Sequence, residues 1–124
     1  MEVKRTIDAT TRVVTLTVSG DLGNPELATL ADHLTDTPEL DPDYSLLIDL
    51  RQAHGESVTS AGVYKLLEQP LVFSAASRRA VVVSSNLGFG MTRMYEMLRK
   101  NRGGAPHVFR DYDEAWRWVT SDKR

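Results

Sequence analysis

The stretch YSLLIDLRQAHGESVTSAGV, Tyr44 to Val63, constrains the fold more than any other part of the chain. Leu46, Leu47, Ile48 and Leu50 form a nearly continuous apolar run interrupted only by Asp49. A strand with one wet face would alternate, whereas an unbroken run suits a parallel strand covered on both faces. Asp49, Arg51 and Gln52 mark where that strand is expected to leave the core. A polar loop from Arg51 to Val58 then leads to a helix opening on Thr59-Ser60-Ala61-Gly62. Open α/β sheets place their ligand crevices outside the carboxyl ends of the strands. This rim is therefore the first place to look for a working surface.

The rest of the chain supplies neighbours for that strand. Val3, Arg5 and Ile7 alternate with polar residues, as do Val14, Leu16 and Val18 in a run rich in β-branched side chains. A short polar turn separates them, which predicts an antiparallel hairpin. Ser19 to Gly23 breaks the pattern. Asn24-Pro25-Glu26 reads as a helix start, with Asn24 as the cap and Pro25 at the first helical position. Leu27, Leu30, Ala31 and Leu34 then form one apolar stripe. An acidic loop holding Pro38 and Pro42 precedes the central strand, and Pro70 ends or kinks the helix that buries Val63, Leu66 and Leu67.

Ala80 to Val83 is a second buried parallel strand, followed by Ser84-Ser85-Asn86 as caps of a third helix. The stripe of that helix is Leu87, Met91, Met94, Tyr95 and Leu98. Its basic end, Arg99, Lys100 and Arg102, suits the negative pole of the helix dipole, and Gly103-Gly104 supplies the stop. Pro106 to Phe109 gives a last strand. Asp111 to Glu114 resembles a capping box for a final helix that buries Tyr112, Ala115, Trp116 and Val119. The order is ββαβαβαβα. It predicts an α/β fold: one mixed five-stranded sheet with an N-terminal antiparallel hairpin, about four helices and right-handed crossovers. Residues 1–124 make a single domain.

Composition narrows the class. The chain has no cysteine, so it holds no disulfide or thiolate metal site and suits a reducing cytoplasm. MEVKRTID lacks the apolar core of a secretory signal, and no stretch approaches the ~20 apolar residues needed to span a bilayer. The expectation is a cytoplasmic chain with no membrane span. A net charge of −2 does not point to nucleic acid. The halves differ, however. Residues 1–62 carry 4 basic and 11 acidic side chains, and residues 63–124 carry 11 and 6. Opposed patches of this kind support a homodimer or an anionic ligand if they segregate in space, and mean nothing if they interleave.

The order of elements, the length and the phrase VTSAGVYKLL resemble the STAS superfamily, the anti-sigma-factor antagonist domains with a SpoIIAA-like fold. LLIDLR, GMTRMYEML and VFRDYDEAWRWV are similar to a group of small bacterial STAS/SEC14-like proteins, largely without assigned function. The resemblance implies a regulatory, protein-binding module. Antagonists in the superfamily carry Asp-Ser-Ser-Gly at a helix start, with the first Ser as a phosphorylation switch. Here the tetrad reads Thr59-Ser60-Ala61-Gly62, so the switch position is Ser60, while Thr59 and Ala61 depart from the pattern. The plain alternative makes Thr59 or Ser60 an N-cap, which contributes about 1 kcal/mol.

A second candidate lies at Ser85, Asn86, Gly88 and Gly90. Small residues in a first helical turn let a ligand approach the backbone, and free N–H groups there favour an anion. Arg93 stands where a dinucleotide fingerprint needs a third glycine, and no phosphate-loop lysine follows. The competing reading gives Gly88 and Gly90 to close helix–sheet packing. The resemblance extends to CRAL-TRIO lipid-transfer domains of the same topology. On that reading Phe73, Phe89, Met91, Met94 and Met97 line a pocket for a small apolar ligand, against a reading as plain core. No catalytic set, metal-ligand spacing or cofactor motif is recognisable. His33, His54 and His107 are not spaced as ligands. His54 and Glu56 flank the crevice loop without a nearby nucleophile. The expectation is a module without catalysis, cofactor or metal.

Overall fold

The computed structural model describes residues 1–35, 43–67, 77–100 and 106–121. Its elements are β1 (Glu2–Asp8), β2 (Val13–Asp21), α1 (Asn24–Thr35), β3 (Ser45–His54), α2 (Ser60–Leu66), β4 (Arg79–Val82), α3 (Asn86–Lys100), β5 (His107–Phe109) and α4 (Tyr112–Thr120). The five strands form one sheet in sequence order, with β1 antiparallel to β2 and every later pair parallel. The expected ββαβαβαβα architecture is the observed one. The loop at Pro38 and Pro42, the Pro70 break with residues 71–76, and the Gly103–Gly104 stop lie outside the described residues.

Sequential order has a consequence for the helices. α1 packs on α2 and α2 on α3, so these three share one face, while α4 packs on β3, β4 and β5. Two apolar layers result. Val14, Leu16, Val18, Leu30 and Leu46 fill one, and Val13, Leu47, Ala80, Val82, Ala115 and Val119 fill the other. Leu46 and Leu47 are adjacent residues in different layers, as the two-residue side-chain period of a strand requires. This explains the unbroken run in β3: it is central and covered on both sides. β4 therefore leads to α3 on one face and β5 to α4 on the other, so the chain parts in opposite directions at the ends of β4 and β5.

Several local expectations are corrected. β3 leaves the core where expected, with Arg51 and Gln52 exposed, but the loop expected from Arg51 begins only after His54. The strand continues beside β2, pairing Ser19 with Gln52, Gly20 with Ala53 and Asp21 with His54 across a register shift. The backbone of an exposed stretch still gains from a ladder, whatever its side chains do. For the same reason Ser19 to Asp21 extends β2 instead of ending it. β1 is a wetter edge than its alternation suggests: Ile7 is 44% exposed, and only Val3 of its apolar residues packs on the core. The hairpin turn is set by Asp8, whose Oδ1 accepts from the N–H groups of Thr10 (2.9 Å) and Thr11 (3.2 Å), with Arg12 at φ 59° closing it.

The start of α1 is also different. Leu27 N donates to Gly23 O at 3.0 Å, which places Gly23 at the cap, and Glu26 Oε1 accepts from Gly23 N at 2.9 Å. That is the reciprocal half of a capping box with glycine in the cap position. Asn24 is thus freed for another task. At α4, Asp111 does cap, accepting from Asp113 N at 2.8 Å. Replacing Asp111 by Ala should lower unfolding free energy by about 1 kcal/mol in urea titration, with the m-value unchanged.

α3 buries polar side chains where its apolar stripe predicts otherwise. Among its described side chains Glu96 (3% exposed) and Arg99 (5%) are the most hidden, while Met91, Met94, Tyr95 and Leu98 are half-buried and the Leu87 side chain lies outside the described ones. Trp118 is used within the chain. Its ring lies 4.4 Å from His107 and 5.7 Å from Phe109, and the Arg78 guanidinium lies over it at 5.2 Å.

Candidate functional site

The carboxyl rim is built in two parts. The first joins the starts of α1 and α2. Thr59 Oγ1 caps α2 by accepting from Gly62 N at 3.3 Å, and also accepts from Asn24 Nδ2 at 2.9 Å. Asn24 Oδ1 in turn accepts from Thr59 N at 3.1 Å. Two helix beginnings are thereby clamped by one amide and one hydroxyl. Gly62 is part of the same device, since a Cβ there would stand 2.0 Å from Asn24 Oδ1. Thr59 and Gly62 are accounted for by structure. Ser60, at the first position of α2, remains exposed, and no hydrogen bond among the described residues engages its hydroxyl. Below this clamp a groove of about 270 Å³ runs between α1 and α2, lined by Leu27, Ala28, Lys65 and Leu66 among others.

The second part surrounds the ends of β3 and β4. Ser85 caps α3, its Oγ accepting from Gly88 N at 2.9 Å while Phe89 N donates to Ser85 O. Ser84 Oγ donates to Arg51 O at 3.2 Å and ties this turn to β3. Gly88 is needed where it stands, because a Cβ would meet Ser85 Oγ at 2.9 Å. Gly90 is different: it is exposed, with nothing within 4 Å of a Cβ built there, so close packing does not explain it. Asn86 is exposed at the first position of α3. Arg110 lies over the Phe89 ring at 4.3 Å and bridges the gap between the ends of β4 and β5.

Beside this turn sits an ion pair that the sequence reading passed over. Asp49 (6% exposed) accepts from Arg51 N at 3.1 Å, Arg51 Nε at 2.9 Å and Arg51 Nη2 at 2.8 Å. Arg51 also lies over the Tyr112 ring at 4.8 Å. Burial alone would raise the Asp49 carboxyl, but the bonds to Arg51 outweigh it and hold the group below its usual range. Arg51 is pushed up by the same hydrogen bonds, and Tyr112 is pushed up first by burial and then by the Asp49 charge. This carboxylate is committed to its neighbour and is not poised as a base. The signal for the pair was present: residues i and i+2 of a strand share a face, and here they carry opposite charges.

The seven rim residues Thr59, Ser60, Gly62, Ser85, Asn86, Gly88 and Gly90 thus fall into two groups. No hydrogen bond joins the groups among the described residues, although α2 and α3 are neighbours in one layer. Of the residues proposed for an apolar pocket, Met97 is 60% exposed, Phe89, Met91 and Met94 are half-buried, and Phe73 lies outside the described residues. Among the described residues there is no cluster of three or more His, Asp or Glu side chains suited to a metal ion, and no helix long and apolar enough to cross a membrane.

No family model matches the sequence, and no curated protein matches it. A solved structure does. The chain is similar over 95% of its length to 92% of an uncharacterised protein of the DUF3478 family with a SpoIIAA-like fold, from Shewanella loihica PV-4. Sequence identity is 18% and the TM-score is 0.59. With one mixed five-stranded sheet in sequential order, an antiparallel first pair and four helices, this chain has the SpoIIAA-like fold.

Proposed function

We propose that the domain is a non-catalytic regulatory module that binds another protein across the rim carrying Ser60 and Asn86. One observation supports this reading above the others. The rim groups that hold the fold together (Thr59, Ser84, Ser85, Asn24, Asp49) are engaged inside the chain, whereas Ser60 and Asn86 stand exposed with no such duty. Side chains on a structured rim without a structural task are the ones a partner can use.

Modification of Ser60 would change that surface sharply, since a phosphate adds close to two negative charges. Glu56, exposed in the turn before α2, already gives the spot acidic character. A partner that is itself acidic would be repelled. Ser60→Asp should therefore weaken binding of a copurified partner by about tenfold, or about 1.4 kcal/mol, while Ser60→Ala retains it. Native mass spectrometry followed by titration of the copurified protein measures both. Equal binding by the two variants would remove Ser60 from the contact. A retained lipid-sized mass with no protein would replace the module by a carrier.

A further inference from the structure

The sheet ends on one side in β1, and among the described residues only β2 pairs with it. Five of its seven residues are exposed. An edge strand presents a row of unpaired N–H and C=O groups, a template for another strand, and charged side chains ordinarily discourage such pairing. Here the charges have an order. Lys4, Thr6 and Asp8 lie on the α4 face of the sheet, since Asp8 stands opposite Val13 of that layer. Val3, Arg5 and Ile7 lie on the other face, where Ile7 is 44% exposed. Asp8 uses Oδ1 for the hairpin turn, and no hydrogen bond among the described residues engages its Oδ2.

The occupant that this edge fits is a second copy of the same strand. Two copies meeting antiparallel are related by a two-fold axis normal to the sheet, which keeps like faces together. Residues that meet are then both even-numbered or both odd-numbered. Within Glu2–Asp8, registers centred on Lys4, Arg5 or Thr6 give the longest overlaps. Centring on Lys4 sets that lysine against its own copy. Centring on Arg5 sets Arg5 against itself and Glu2 against the partner's Asp8, twice over. Centring on Thr6 sets Lys4 against the partner's Asp8 twice, Thr6 against Thr6, and the Arg5 stem against the exposed Ile7. Opposite charges and threonine pairs across strands are favourable, whereas like charges directly opposite are not. We infer that the chain forms a homodimer by antiparallel pairing of β1 with β1 of a second copy, centred on Thr6, which joins the two sheets into one. This inference does not rest on the partner reading, because no rim residue lies on β1.

Sedimentation equilibrium of the full chain measures the association. A contact between single edge strands is smaller than the ~1,200–2,000 Å² of stable interfaces, so a Kd of about 10–100 μM is expected. Lys4→Glu, at an exposed position, should raise that Kd at least about tenfold, because it sets carboxylates against carboxylates across the axis. Asp8→Asn keeps the acceptor of the turn and removes the charge, so a rise of about threefold is expected. Glu2→Gln lies outside the paired stretch and should leave Kd unchanged, whereas pairing centred on Arg5 would tighten. Amide exchange at alternate residues of β1, those whose N–H groups point away from β2, should slow as protein is raised from about 1 μM to about 500 μM. A chain that stays monomeric at about 1 mM leaves the edge to a strand of another protein and overturns the inference. So does a dimer that Lys4→Glu leaves intact, one that Glu2→Gln tightens, or one whose β1 amides exchange at a rate independent of concentration.

Discussion

Replacing Arg51 by alanine is expected to destabilise the domain by roughly 2–3 kcal/mol at neutral pH, and the deficit should shrink as the solution is acidified. Asp49 is 6% exposed and receives two of its three described hydrogen bonds from the Arg51 side chain. Removing the guanidinium leaves a buried carboxylate with only the backbone N–H of residue 51. Arg51 itself is 45% exposed at its side chain, so the figure lies below that for a fully interior pair.

The pH dependence follows from the direction of the Asp49 shift. In the parent protein the group is held below its ordinary value of 3.8. Its contribution is therefore complete above that value and is lost as pH falls from there through the lower, folded-state pKa. In Arg51→Ala burial, the largest influence, is opposed by the backbone N–H of residue 51 without the guanidinium, so the carboxyl is expected above the unfolded value. The variant is then penalised at neutral pH and relieved as pH falls through its raised pKa. Urea titrations at pH 7, 5 and 4 should show the two stabilities converging. A difference that stays constant over that range would mean that Arg51 acts through its contact with Tyr112 and not through the Asp49 charge.

The second large effect concerns Gly62. Alanine in a helix interior ordinarily gains about 1 kcal/mol over glycine. Here the new methyl would stand 2.0 Å from Asn24 Oδ1 and 2.4 Å from Asn24 Cγ, inside a side chain that two hydrogen bonds to Thr59 hold in place. Asn24 must swing away, which breaks the clamp between α1 and α2. Net destabilisation of about 1–2 kcal/mol is expected in spite of the helical gain. In an Asn24→Ala background the obstacle is gone, so Gly62→Ala should become stabilising by up to about 1 kcal/mol. The sign reversal is the measurement, read from a double-mutant cycle with a coupling of about 2 kcal/mol. Additive single and double variants would show that Gly62 answers to something other than Asn24.

Architecture was legible because it rests on patterns that the chain carries locally. The unbroken LLI run, the β-branched alternation before it and the capped apolar stripes between strands each state their element without reference to distant residues. Their order, with the strong preference for right-handed crossovers, leaves few ways to assemble them. Even the placement of Leu46–Leu50 and Ala80–Val82 as neighbouring interior strands follows from their lack of a polar face.

The rim could not be read in the same way. Asn24 carries the sequence signature of a cap, yet Gly23 takes that position and the Asn24 amide reaches Thr59, 35 residues along the chain. Arg99 has the sequence position of a solvated helix-end charge, yet it turns inward to Leu67 O. Strand ends behave likewise: β3 runs on to His54 only because β2 is there to pair with it. The sequence by itself determined which segments are strands and helices and which faces must be dry, since burial of apolar area is non-directional and is written residue by residue. Only the tertiary structure decided which polar groups meet. A hydrogen bond depends on direction and on a few tenths of an ångström, and those are fixed when elements far apart in the chain are packed together.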